Sequence, residues 1–384
     1  MLPPTQPSSD FSNRIATLLT KHAPPAGLSV LVASATTSHS FAAGYSDILN
    51  STRLDPSHAF GIGSITKIFV AVVILQLIEE GKLHLSDRVD NYLPPEITHD
   101  IENAASATIE QLLGHTAGID SWEDDPEWIV HGRGRLVRPE HIWTKTKPLE
   151  FLRRPRKIAP DRGKWYYANT NYTLLGLVIE AVTHASAEAE IRRRILEPLK
   201  MENTYLDGFE APPPAYSNGT ASLPSRYHVA NASFRDVAGR CPHFTEIDKD
   251  LIEVKDYNMS TSWLAGGMVS TPSDLIKFAL ALRDGKLLRP ESIKFIQQWR
   301  PTGAQGLECG HGLFRMELPG SGKWMGHSGG VLGFSSGLWW HEERNCVLCV
   351  LGNVGTVHTG GAVGSVKALL TDEEFSGLAL DLVG

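Results

Sequence analysis

Ser64-Ile65-Thr66-Lys67 stands at the mouth of the most hydrophobic stretch in this 384-residue chain, Ile68 to Leu75. Residues i and i+3 share a face of a helix, so the spacing puts the Lys67 amine beside the Ser64 hydroxyl. The run that follows is apolar all round, which predicts a helix buried in a core. An ammonium carried into such a place needs a partner or a task. A serine on the first turn gains the positive end of the helix dipole and unpaired backbone N–H groups. The pair is then a nucleophile with a built-in proton acceptor. A Ser cap followed by a surface Lys would spell the same four residues, but this helix offers no polar face for such a lysine.

Acyl transfer by such a pair needs a second proton carrier and an oxyanion site. Tyr167-Ala168-Asn169 opens a helix whose apolar positions include Leu174, Leu175, Val178 and Ile179. A phenol near an ammonium is expected to have its pKa of about 10 pulled down, so that Tyr167 accepts the serine proton as a phenolate. Asn169 offers a donor and an acceptor to an amide-like substrate. Tyr216-Ser217-Asn218 has the same pattern, but it follows Pro212-Pro213-Pro214 and has no helix behind it. His327-Ser328-Gly329-Gly330 leads into a strand expected over 333–340. Its small residues let a strand edge approach a substrate, and the Gly330 N–H can join that of Ser64 as an oxyanion hole. The rival His358-Thr359-Gly360-Gly361 falls on a turn.

The elements that must position these residues are drawn from both ends of the chain. A helix over 10–23 presents Phe11, Ile15, Leu18 and Leu19 on one face, and strands are expected over 27–35 and 41–45. The Ser64 helix stops near Gly81. From Leu85 to Tyr257 strand signals thin out, and helical pieces are expected at 109–113, 168–182 and 187–196. Residues 120–165 are loop-rich, with Trp122, Trp128, Trp143 and Trp165 and a basic cluster of Arg153, Arg154, Arg156, Lys157, Arg162 and Lys164. The tryptophans read as local core and the cluster as a solvated face. A helix over 273–282, strands over 312–317, 333–340 and 346–351, and a helix over 361–370 follow. Residues 1–85 and 258–384 are thus expected to form a sheet domain and 86–257 a mostly helical one, with the site at their interface.

A formal charge of −7 argues against nucleic acid or an anionic membrane as the main partner. Cys241, Cys309, Cys346 and Cys349 lack metal-ligand spacing and read as buried thiols. The first residues carry no secretory-signal pattern and no apolar run is long enough for a bilayer, so the expectation is a cytoplasmic protein.

Ser64-x-x-Lys67, Tyr167-x-Asn169 and His327-x-Gly329, in that order, resemble the three signature elements of the serine β-lactamase-related superfamily. The similar branch holds class C β-lactamases, DD-peptidases, D-aminopeptidases and family VIII-type esterases. Flanking stretches are similar too: Leu112 to Ile119, Tyr167 to Tyr172, Ala265 to Met268, Ser270 to Leu275, and Gly326 to Gly330 with Gly333-Phe334. The likeness covers roughly residues 10–370. It implies a mixed α/β (α+β) fold, with an antiparallel sheet flanked by helices plus a mostly helical domain, and an acyl-enzyme mechanism with no metal and no cofactor.

Carried over residue by residue, the resemblance implies Ser64 as nucleophile, Lys67 as proton acceptor and Tyr167 as the acid–base group. Asn169, His327, Ser328, Gly329 and Gly330 become substrate-binding positions, with oxyanion N–H groups from Ser64 and Gly330. One departure matters. β-Lactamases carry Lys where this chain has His327, and a mostly neutral histidine seats a substrate carboxylate less well. The expected function is a serine hydrolase cleaving a small ester, D-amino-acid amide or peptide, with a small molecule as its partner. An acyltransferase using the same acyl-enzyme and a low-efficiency β-lactamase are the alternatives. If neutral His327 is the productive form, the acid limb of kcat/KM is expected to move in His327→Asn.

Overall fold

The computed structural model describes residues 9–22, 26–153, 158–217, 222–229, 238–239, 241–249, 251–254, 257–318, 320–355 and 364–383. The helix expected at the N-terminus is α1 (Ser9–His22), whose Ile15, Leu18 and Leu19 are buried. Strands β1 (Gly27–Ala33), β2 (Ser38–Asp47) and β3 (Thr52–Arg53) precede α2 (Thr66–Glu79). After α3 (Asn169–Thr183) and α4 (Pro272–Arg283) come β4 (Arg300–Pro301), β5 (Leu307–Cys309), β6 (Phe314–Leu318), β7 (Gly322–Val331), β8 (Phe334–His341) and β9 (Val347–Gly352). Helices α5 (Gly364–Leu370) and α6 (Glu373–Asp381) follow.

These nine strands form one antiparallel sheet in the order β4-β5-β6-β7-β8-β9-β1-β2-β3. Strands from near the N-terminus therefore complete a sheet begun by the C-terminal third. Strand β9 is buried on both faces, which is why its sequence is a continuous apolar run. Val347, Cys349 and Leu351 join the core that contains α2, whereas Leu348 and Val350 join Ile15, Leu19, Val366 and Phe375 on the other face. Cys346 and Cys349 likewise separate to the two sides, and all four cysteines are buried free thiols.

Helix α2 has the predicted character, for every residue from Thr66 to Leu75 is buried. Phe69 stacks on Phe278 of α4 at 3.8 Å between ring centroids, and α3 packs alongside α2. The segment before α2 is tied down by a small sheet in which Met268–Ser270 lies between Phe60–Gly61 and Tyr205–Leu206. The region between α2 and α4 holds the expected helices Ile109–Leu113 and Ala187–Ile191, and also short strands at Tyr227–Val229, Thr245–Glu246 and Leu251–Glu253. No helix among the described residues is long and apolar enough to cross a membrane.

His327 to Gly330 lead into the expected strand, β8, and are themselves part of a further strand that the sequence pattern does not delimit, the ten-residue β7. Its glycines and polar residues carry little strand propensity, and the ladder to β8, continuous from Trp324 to Val331, forms regardless. On its other side β7 pairs with β6 only as far as Gly326, leaving 327–331 as an edge facing the turn that holds Ser64.

Phe69→Ala should leave a cavity where α2 meets α4 and cost about 3–5 kcal/mol. The measurement is the denaturant midpoint; an unchanged value would mean that α2 is not anchored by this stack.

Candidate active site

Ser64 sits in a single 3-10 turn, Gly63–Ile65, that runs directly into α2. The turn is pinned on both sides by its preceding residue. The Ile62 N–H donates to the Met268 carbonyl at 2.9 Å, and the Ile62 carbonyl accepts from the Ser336 hydroxyl of β8 at 2.7 Å. A Cβ on Gly329 would stand 2.1 Å from the Ile62 carbonyl and 2.9 Å from the Ser64 nitrogen, so only glycine lets β7 come this close. Gly63, at φ +52°, is equally tight against the Gly330 nitrogen.

Lys67 is fully buried, and its amine meets three acceptors. It donates to Ser64 Oγ at 3.0 Å, to Asn169 Oδ1 at 2.7 Å and to the Ala265 carbonyl at 2.6 Å. Burial pulls its pKa down to about 7, with the negative charge of Glu123 opposing that fall. A neutral amine keeps two N–H donors and one lone pair. With Asn169 and Ala265 taking the donors, the lone pair is left for the Ser64 hydroxyl.

Tyr167 precedes α3, and its hydroxyl donates to Ser64 Oγ at 2.7 Å. The ring stacks on His115 at 4.4 Å and lies 4.8 Å from the Lys67 nitrogen. The expected depressed phenol is corrected: burial pushes Tyr167 well above its usual value, and the Lys67 amine, itself near half-neutral, does not offset it. Tyr167 is therefore a neutral donor toward Ser64.

Asn169 is the first residue of α3, its N–H held by the Ser121 hydroxyl at 3.1 Å. Its amide Nδ2 donates to Glu123 Oε2 at 2.5 Å, and Glu123 is paired with the buried Arg133. That contact orients the amide so that its oxygen faces Lys67. His327 is buried beside Phe314, with ring centroids 4.8 Å apart, and its Nδ1 donates to the Ser328 carbonyl. Burial, helped by the nearby Lys67, pushes its pKa down to about 3. His327 is thus neutral, and among the described residues no hydrogen bond engages its Nε2.

Ser64, Lys67, Tyr167 and Asn169 converge by direct hydrogen bonds, and the β7 edge at Gly329 and Gly330 lies against the Ser64 turn. The alternative Tyr216 is engaged elsewhere: it donates to the Asn203 carbonyl at 2.8 Å and packs on Tyr205. Asn218 and the stretch His358 to Gly361 lie outside the described residues, as do Arg154, Arg156 and Lys157. Trp122, Trp128 and Trp143 are buried, and Trp122 packs on Trp128 as local core. Sequence reasoning gave no role to Glu123, Arg133, His115 or the Ala265 carbonyl. His115 lies in the Leu112–Ile119 stretch singled out by resemblance, whereas Glu123 carries no spacing signal.

A family model described as Beta-lactamase matches residues 13–371. Protein flp of Staphylococcus aureus strain MW2 is 32% identical over 150 residues, covering 39% of this chain and 28% of that protein. The chain spans half the length or less of the bacterial relatives it matches in sequence. The D-amino acid amidase from Ochrobactrum anthropi SV3, solved with L-phenylalanine amide, superposes with a TM-score of 0.79 at 24% identity, over 97% of this chain and 98% of that one. A D-stereospecific amidohydrolase from Streptomyces does so with a TM-score of 0.76 at 25% identity, over 94% and 98%.

Glu123→Gln keeps an acceptor for Asn169 but removes the charge that favours the Lys67 ammonium. Lys67 should then titrate below its value of about 7. The 13C shift of its ε-carbon reads this directly, and a rise instead of a fall would contradict the arrangement.

Proposed function

This chain belongs to the beta-lactamase family, and on that footing we propose that it is a serine hydrolase that cleaves a small amide or ester through an acyl-enzyme on Ser64. One observation carries the reading: Ser64 Oγ is held at once by the Lys67 amine at 3.0 Å and the Tyr167 hydroxyl at 2.7 Å. Neutral Lys67 takes the Ser64 proton as Oγ attacks the substrate carbonyl. The N–H groups of Ser64 and Gly330 receive the oxyanion. Tyr167, kept protonated by burial, passes its proton to the leaving nitrogen or oxygen and recovers one from the Lys67 ammonium. The net transfer is from serine to leaving group. Water then repeats the path in reverse and frees the acid. The chemistry uses this chain's own side chains throughout.

The pocket wall favours substrates without a carboxylate near the scissile bond. Neutral His327 and Phe314 occupy the place where a permanent ammonium would seat an anionic group, so β-lactam turnover is expected to be slow. The Streptomyces neighbour is named as a D-stereospecific amidohydrolase, which favours amides of D-amino acids among the candidates. An acyltransferase would need its acyl-enzyme shielded from water. Trp122 and Trp128 of the loop-rich segment pack on each other as local core and offer no such screen, so hydrolysis is the better supported reading.

Ser64→Ala should abolish hydrolysis of p-nitrophenyl esters and D-phenylalanine amide, and a fluorophosphonate should add one mass increment on Ser64. Residual turnover within tenfold of wild type would discard the proposal.

Because Lys67 must be neutral, kcat/KM should rise with pH through about 7 and lose roughly tenfold per unit below it. The earlier expectation for His327 is revised: a group held near 3 does not set that limb, so His327→Asn should leave its midpoint in place. A limb that moves with His327 would return the titration to the histidine.

A further inference from the structure

A cavity of about 480 Å³ lies on the loop-rich segment between Pro126 and Phe151, and none of Ser64, Lys67, Tyr167, Asn169 or His327 lines it. Its volume is in the range of small-molecule sites. Every ionisable residue of its lining is basic: His131, Arg135, Arg138, His141, Lys147 and His243. This is unexpected on a chain of formal charge −7. Lys147 has a carboxylate partner in Glu150 at 2.6 Å, but among the described residues no ion pair engages Arg135 or Arg138.

The inner wall is aromatic. Trp143 and Phe151 stack at 5.7 Å and 19°, His131 lies 5.8 Å from the Phe151 ring, and the Lys147 amine stands 5.9 Å over it. Two of the four large apolar side chains left exposed among the described residues, Leu136 and Ile142, belong to this same segment. The wall is also preformed. Trp143 N–H donates to the Ser260 hydroxyl at 3.0 Å, Asn258 donates to the His141 carbonyl at 3.0 Å, and Arg135 N–H donates to the Ala238 carbonyl at 2.9 Å. Arg135 and Arg138 are exposed where they line the cavity, so their guanidinium groups stand beside the aromatic wall and within reach of a ligand entering from solvent.

We propose that this cavity binds an organic anion with a flat apolar body, of the aryl carboxylate class. The ring lies against Trp143 and Phe151, and the carboxylate faces Arg135 and Arg138, whose planar forks suit it. The site stands apart from the Ser64 chemistry and does not depend on the hydrolase reading.

The probe is 1-naphthoate, with 1-naphthalenemethanol as its uncharged counterpart, titrated into the full chain by calorimetry and by 15N indole NMR. Naphthoate should bind and shift the Trp143 indole signal, assigned by its loss in Trp143→Phe. Binding should weaken with added salt and fall at least tenfold in Arg135→Gln/Arg138→Gln, whose altered side chains are exposed. Lys147→Gln should weaken it further, and the alcohol should bind at least tenfold less tightly. The proposal is overturned if naphthoate does not bind, if its affinity survives the double substitution, if the alcohol binds as well, or if the Trp143 signal stays fixed.

Discussion

The buried amine of Lys67 is the constraint around which the rest of the site is organised. Moving its pKa from 10.5 to about 7 corresponds to roughly 5 kcal/mol against the charged form. The helix can carry it because each of its hydrogen-bonding directions is used, by Ser64, by Asn169 and by a main-chain carbonyl at Ala265. Two of these come from elements far away in the chain, so α3 and the Trp263–Ala265 turn must dock before Lys67 is satisfied. The Arg133–Glu123 pair extends this outward, since an amide whose nitrogen is claimed by Glu123 has only its oxygen to offer Lys67.

The same desolvation acts with opposite sign on the three titratable groups and brings them to a common state. It lowers Lys67 and His327 and raises Tyr167, because a buried site penalises whichever form is charged. Above a pH of about 7 the result is a cluster of neutral donors and acceptors instead of an ammonium–phenolate pair. In the proposed reaction charge then appears on Lys67 only as Ser64 gives up its proton, next to groups already oriented to receive it.

Backbone proximity is the second requirement. The Ser64 turn and strand β7 approach so closely that Gly63 and Gly329 have no room for a side chain. This cost in strand propensity is met by the flanking ladder, where Trp324, Met325 and Val331 pair with His341, Trp340 and Phe334 of β8, respectively. The free edge at 327–331 exists because β6 stops pairing at Gly326. A fully paired β7 would have no main-chain groups left for the Ser64 side.

By itself the sequence determined the local elements and the chemical types. The apolar run after Lys67 required a buried helix, the i, i+3 spacing fixed Lys67 beside Ser64, and Tyr167-x-Asn169 at a helix start placed a phenol and an amide on one turn. These follow from short-range geometry. It did not determine protonation, for a pKa depends on solvent exclusion by segments distant in the chain, and the neighbour-charge argument alone gave Tyr167 the wrong direction. Nor could it show that Glu123 and Arg133 stand behind Asn169, or that β7 is a strand, since glycine-rich residues carry no local signal. Tertiary packing decided those points, because only the assembled fold sets which backbones touch and which charges lose their water.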